Sequence, residues 1–465
     1  VTKPGFVNFT VDNSYYSDVV NQILSDKDSF GKPKAKKQTA NVEFVSCNPT
    51  GPLTIGHGRQ AVLGDIISNI LSWHNYDVTR EYYYNDAGKQ MRVLAQSCYA
   101  KYANKIGRKF ESPENGYVGE YLDDIVEKII EKYGNDLDEN DEKFRTFTEK
   151  EIFQNIQQTL NSLNIVFDVF SKEKSFYDNG AINEVLKALE KLSLSYKKDG
   201  ATWFKTTALG KEEDKVLVKS TGEPTYRLPD IAYHIDKVKR DFNLIVDIFG
   251  ADHIDTYPDV LLALDSLGYR VDHIKVVIHQ FVTLKEDGKV VKMSTRKANF
   301  VTLDELIEKL SADIIRYFFI MRGANSHLDF DLNLAMDESE KNPVYYLQYA
   351  HARISNLGKR FKKEVGETNK INLQLLDKED EILLMKKLSQ FPKKMEQLHE
   401  SLEPRQLATY LEGLAAQYHK FYGNHKVIDL DNTELSHARM ALCDATQIIF
   451  KIGLSILGIT APERM

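Results

Sequence analysis

The sequence predicts an α/β protein: a doubly wound parallel sheet (Rossmann-type), interrupted by a helical insertion and followed by an all-α domain. Three observations predict it. A strand run, a turn cluster and a helical periodicity follow one another within residues 42–71. Strand and helix signals alternate again across 201–282. From Pro343 to the end the apolar spacing is helical almost throughout. The expected boundaries are 31–97 and 199–338 for the two halves of the sheet domain, 98–198 for the insertion and 339–465 for the helical domain. Residues 1–30 carry little pattern and read as a linker or the end of a preceding domain.

The chain is built around Val42–Gly64. Val42–Ser46 is a short β-rich run. Asn48-Pro49-Thr50-Gly51-Pro52 is a turn cluster. After Gly56-His57-Gly58-Arg59, apolar residues recur at Ala61, Val62, Ile66, Ile67, Ile70 and Leu71. In an open α/β sheet, a strand feeding a helix through such a turn builds a nucleotide site, because the helix N-terminus offers free N–H groups and a positive dipole to phosphate. No G-x-G-x-x-G is present, so the dinucleotide pattern is excluded. His57 falls where phosphate would sit.

Further elements follow in order. Asp77–Tyr84 reads as a second strand, with Asn85-Asp86-Ala87-Gly88 capping the next helix. Residues 98–198 are charge-rich and helical, with low expected catalytic content. Ala201–Thr206 and Lys215–Lys219 are strand signals, and Pro229 can open a helix within Glu223–Lys237. Leu244–Phe249 is a continuous apolar run suited to a buried parallel strand. It ends in Gly250-Ala251-Asp252-His253 ahead of a helix at Tyr257–Leu267. Ile274–Val282 is a strand, followed by a turn at 286–289 and the segment Lys292-Met293-Ser294-Thr295-Arg296-Lys297.

Composition narrows the function classes. At 465 residues, 42% hydrophobic and 28% charged, the chain has room for two to four soluble domains. No run of roughly 18 apolar residues occurs, so no membrane span is expected. Three widely separated cysteines, Cys47, Cys98 and Cys443, exclude a disulfide framework and a C-x-x-C metal site and fit a reducing compartment. His57, His253 and His279 match no metal spacing, so no protein metal ligand is expected. The net charge of −7 weighs against nucleic-acid binding in aggregate, but local patches decide it. Lys32–Lys37 is basic, either a solvated loop or a phosphate contact. In the helical domain, basic residues interleave with aromatics at Tyr345, Tyr346, Tyr349, Arg353 and at 418–422. That pattern suits an RNA surface, although aromatics at helical spacing also build cores.

Together, His57 and the Lys292/Ser294 pair suggest an ATP site. Nucleotidyl transfer needs in-line positioning and donors or cations where charge develops. At this point the chain resembles the class I aminoacyl-tRNA synthetases, and among them the bacterial arginyl branch. Thr54-Ile55-Gly56-His57 stands at the HIGH element and Lys292-Met293-Ser294-Thr295 at the KMSK loop. Asp199–Phe204, Asp230–His234, Gly250–His253, Asn342–Arg353 and the terminal Ala461–Met465 are similar to arginyl enzymes.

The resemblance implies a Rossmann-type catalytic domain and a helical anticodon-binding domain. It implies ATP with Mg²⁺, L-arginine and tRNA(Arg) as ligands, a cytoplasmic location and a monomer. It implies catalytic roles for His57, Lys292 and Ser294, and ATP contacts from Thr54, Gly56, His57, Gly250, His253 and Met293. Glu43, Ser46, Asn48, Tyr226, Asp230 and Asp252 would form the arginine pocket, with Tyr345, Tyr349 and Arg353 on tRNA. An arginyl pocket makes physical sense here, since a planar cation with five donors pairs best with fixed carboxylates. Two departures stand out: Thr54 replaces the first HIGH histidine, and Thr295 replaces the second KMSK lysine. The rival readings are a sister synthetase and a non-catalytic tRNA-binding paralogue.

Overall fold

The computed structural model describes residues 12–34, 36–291, 301–368 and 370–465. Lys292, Met293 and Ser294 lie outside the described residues. The strands are β1 (Gln38–Glu43), β2 (Tyr76–Tyr84), β3 (Val169–Lys172), β4 (Ser195–Lys198), β5 (Ala201–Phe204), β6 (Lys215–Val218), β7 (Leu244–Gly250), β8 (Ile274–His279), β9 (Val282–Glu286), β10 (Lys289–Val290) and β11 (Leu328–Asp331).

A five-stranded sheet in the order β3-β2-β1-β7-β8, parallel throughout, forms the centre. The chain steps outward from β1 to β3, then returns to the other side of β1. The direction of winding therefore reverses between β1 and β7, and the crevice at the carboxyl ends of these two strands is where such sheets bind ligands. The helix Ile55–Trp73 covers the sheet next to β1, with apolar residues on its inner side fully buried. Its close approach requires Gly64, since a Cβ there would lie 2.1 Å from the Phe44 ring.

β1 begins and ends earlier than the 42–46 run implies. Beyond Glu43 the chain turns sharply, with Val45 at φ +68° and Ser46 at φ +40°. Left-handed backbone is unfavourable for a β-branched valine, so the strand's exit into the turn is held by its surroundings.

Three sequence expectations change here. Residues 98–198 are not a single insertion, because β3 returns to the edge of the main sheet beside β2. The helical insertion is Tyr121–Tyr133 and Lys143–Ser162, packed on the helix Gly88–Lys105. Likewise β5 and β6 never enter the parallel sheet. Asp199 (φ +50°) and Gly200 (φ +77°) make a two-residue hairpin between β4 and β5, which permits only antiparallel pairing. β4-β5-β6 is thus a separate small sheet, as is β10-β9-β11. Nor does Asp86 cap the helix at Gly88; its carboxylate instead accepts the Lys174 amide at 2.9 Å.

The C-terminal domain is a bundle of Pro343–Glu364, Glu379–Ser389, Phe391–Ser401, Arg405–Asn424 and Thr433–Leu457. The helix Asn13–Asp26, within residues expected to be a linker or the end of a preceding domain, packs on this bundle with Val20 and Ile23 fully buried. Thr433–Leu457 has the length and apolarity to cross a membrane, with mean hydropathy 1.5, but 72% of its apolar window is buried in the fold. It is the core helix of the bundle. Two domains and the insertion meet on Arg316. Its fully buried guanidinium donates to Leu457 O (3.1 Å), Leu163 O (3.0 Å) and Asp65 Oδ2 (2.5 Å).

Candidate active site at the sheet crossover

The site begins with the first turn of Ile55–Trp73. Thr54 is its N-cap: the threonine Oγ1 accepts the His57 amide at 3.3 Å, while the Thr54 amide donates to His57 Nδ1 at 3.2 Å. A ring whose Nδ1 accepts carries its proton on Nε2. Burial also lowers the His57 pKa to about 4, against the opposing pull of Asp252. His57 is therefore a neutral N–H donor at a helix N-terminus, its tautomer set by the Thr54 backbone amide, while the Thr54 side chain, in place of the first HIGH histidine, caps the helix. His279, at the end of β8, is likewise held down to about 4 by burial, and its Nδ1 lies 3.3 Å from Gln280 O. On the same helix Arg59 is fully buried and donates to the carbonyls of Gln280, Ser326 and Gly323 at 2.7, 2.9 and 2.9 Å. It ties the signature helix to the segments after β8.

Thr54 also bridges Thr302, and Leu303 N donates to Leu53 O at 2.7 Å. Thr302 and Leu303 are thereby anchored beside the turn that carries His57.

A pocket opens beside this turn, lined by Asp230, His234, Asp247, Phe249, His253 and Tyr257 among others. Burial raises the Asp230 carboxyl to about 6, and the nearby Glu43 adds to that rise. Burial also raises Glu173 to about 7, with Asp230 as the next cause. Glu173 accepts the Tyr83 hydroxyl at 3.2 Å. Two buried carboxyls, one raising the other's pKa, form a receptor for a cation. Glu173 was not among the sequence candidates. It sits just after β3, within the stretch expected to have low catalytic content.

The remaining candidates divide. Glu43 is buried and ion-paired to Lys237. Ser46 Oγ accepts the Tyr83 amide at 3.0 Å, and Asn48 donates to Gln90 Oε1. Tyr226 is 63% exposed and stands at the rim, 3.5 Å from the Gln90 amide. Asp252 is exposed, 3.7 Å from His253, whose ring stacks on Phe249 at 5.2 Å. The structure thus gathers Glu43, Ser46, Asn48 and Asp230 around the switch point with Gly56, His57 and Gly250, and leaves Tyr226 and Asp252 on its edge. Three ionic groups missing from the sequence candidates join them: His234, Lys237 and Asp247. Asp230, His234 and Lys237 follow at i, i+4 and i+7, a one-face helical spacing that was available to signal them.

Among the described residues the group spaced to hold a metal ion is Glu43, His234 and Asp247, and the Lys237 ammonium bonds to both of its carboxylates. On the C-terminal bundle, Arg353 lies 4.4 Å from the Tyr349 ring and 5.1 Å from the Tyr422 ring, with Nη1 3.3 Å from His419 Nδ1. Tyr345 is half-buried on the same helix. Arg353, Tyr349, Tyr422 and His419 form one aromatic and cationic cluster on Pro343–Glu364 and Arg405–Asn424.

The fold, the neutral donor histidine at a helix N-terminus and the crevice at the crossover define a class I tRNA synthetase. The family model "tRNA synthetases class I (R), catalytic domain" matches residues 19–317, and "DALR anticodon binding domain" matches 347–465. The chain belongs to this arginyl (R) family of class I synthetases. It is 49% identical over 474 residues to the arginine–tRNA ligase of Desulfotalea psychrophila, covering 100% of this chain and 85% of that protein. It is 48% identical to that of Salinibacter ruber, covering 100% and 86%. A structure from Campylobacter jejuni described as an arginyl tRNA synthetase superposes with TM-score 0.89 at 30% identity, over 98% of this chain and 100% of that one. The Thermus thermophilus arginyl-tRNA synthetase shares the fold, with TM-score 0.76 at 20% identity over 98% and 87%.

Proposed function

We propose that this crevice joins arginine to ATP and then to tRNA(Arg), with the carboxyl pair Asp230 and Glu173 as the feature that carries the substrate assignment. Arginine–tRNA ligation proceeds in two steps. The arginine carboxylate attacks the α-phosphorus of ATP; the bond to the β-phosphate oxygen breaks and pyrophosphate leaves. A ribose hydroxyl at the tRNA 3′ end then attacks the activated carbonyl, and AMP leaves. The guanidinium enters between Asp230 and Glu173, where burial makes the ionised forms costly until a cation arrives. A neutral analogue would leave these carboxyls unpaired, and unmet polar groups of that kind give discrimination of roughly 10⁴–10⁵.

His57 acts without a charge. Its Nε2–H and the free N–H groups of the first helical turn donate to phosphate oxygens as negative charge builds on them. Lys292 and Ser294 carry the remaining donor roles by family resemblance, as Met293, Gly250 and His253 carry ATP contacts. Mg²⁺, when bound, would neutralise the phosphates. Arg353 and its tyrosines offer planar surfaces and a cation to unstacked anticodon bases. The cysteines Cys47, Cys98 and Cys443 are all free, which supports a cytoplasmic enzyme.

The test is binding of arginine, lysine and citrulline by the full chain. Arginine alone should bind tightly, and Asp230→Asn should abolish that preference. Equal binding of citrulline would refute the assignment.

A further inference from the structure

Glu43 and Asp247 are direct register partners on the adjacent parallel strands β1 and β7. Two carboxylates side by side on neighbouring strands repel, and both are buried. Lys237, fully buried on the helix Arg227–Lys239, resolves this contact. Its Nζ bonds to Glu43 Oε2 and lies 2.5 Å from Asp247 Oδ1. The same ammonium lies 4.6 Å from the centroid of the Tyr233 ring. His234 Nε2 takes the other Asp247 oxygen at 3.2 Å, and its Nδ1 lies 2.8 Å from Asp230 O. Among the described residues nothing bonds to Glu43 Oε1.

A buried ion cluster of this kind is a poor stabiliser compared with apolar residues of the same volume. Its value lies in geometry. One ammonium spans the switch point, pins the two central strands at their carboxyl ends and fixes the Glu43 side chain. Of the acidic groups Glu43, Asp247, Asp230 and Glu173, Lys237 bonds to the first two. Asp230 and Glu173 are then the pair left to a substrate cation.

We propose that Lys237 is a positioning residue for arginine: it holds Glu43 in place and confines the substrate cation to Asp230 and Glu173. This rests on the arginine pocket proposed above. In Lys237→Met, Asp247 keeps His234, but Glu43 loses its ammonium and is free to turn toward the substrate cation.

The experiment is tRNA-supported, arginine-dependent pyrophosphate exchange by the full chain, comparing wild type, Lys237→Met and the double variant Lys237→Met/Asp247→Asn. The double variant removes opposite charges together, so it carries the test where the single variant fails to fold. The expected result is an arginine KM raised at least tenfold in both variants, with the ATP KM within twofold of wild type. Asp247→Asn restores the thermal midpoint toward wild type but not the arginine KM, because Glu43 is still unheld. An unchanged arginine KM in either variant overturns the proposal, since Lys237 then only balances Asp247. Absence of arginine-dependent exchange in the wild type overturns the pocket reading itself. Normal wild-type exchange with unaffected variants overturns Lys237 alone.

Discussion

Arginine affinity should fall steeply as pH is lowered, in a range where arginine itself does not titrate. Without substrate, Asp230 sits at about 6 and Glu173 at about 7, both raised first by burial. A guanidinium binds the ionised pair, so each proton present must leave on binding. At pH 5.5 a group at 7 is ~97% protonated and one at 6 is ~75% protonated, so the paired cost is about 100-fold in Kd relative to pH 8. Stability of the unliganded protein carries the opposite sign. The folded chain holds these protons where the unfolded chain has lost them, so this contribution declines as pH rises from about 4 to about 7. Calorimetric titration with arginine between pH 5.5 and 8, in two buffers of different ionisation enthalpy, measures both affinity and protons released. Glu173→Gln should shrink the pH dependence to about fourfold and weaken binding at pH 8 by roughly 30-fold or more. A Kd that changes less than about threefold over this range would refute the coupled-carboxyl reasoning.

Other expectations follow from single contacts. His57→Ala should lower the rate of adenylate formation by about 10²–10³ while arginine affinity stays within threefold, because it removes a phosphate donor and no pocket wall; single-turnover kinetics checks this. Gly458→Ala should destabilise by about 2–4 kcal/mol in denaturant titration. Gly458 sits at φ +65°, and a Cβ there would meet Arg316 Nη2 at 2.0 Å. Arg353→Ala should raise the tRNA KM about tenfold without moving the arginine or ATP KM, since it removes a stacked cation.

Much of this site was legible where the signal was local. The helix after Gly56 announces itself by periodicity and the buried strand at 244–250 by its continuous apolar run, and His57 falls in the first turn of that helix. Other features depend on partners distant in sequence. β3 is four residues long in a helical stretch, and only its pairing with β2 brings Glu173 to Tyr83 and within reach of Asp230. The Glu43–Lys237–Asp247 cluster depends on a strand register that no local pattern encodes. The helix Asn13–Asp26 looked featureless because its buried residues Val20 and Ile23 meet a bundle formed hundreds of residues later. Thr54 read as a lost charge, yet its side chain accepts the His57 amide and caps the helix that presents His57.

The most direct test of the central claim is amino-acid-dependent pyrophosphate exchange into ATP, run over all twenty amino acids with and without tRNA. Exchange with arginine, supported by tRNA and lost in Asp230→Asn, is the predicted result. Exchange with another amino acid, or arginine exchange that survives Asp230→Asn unchanged, would contradict it.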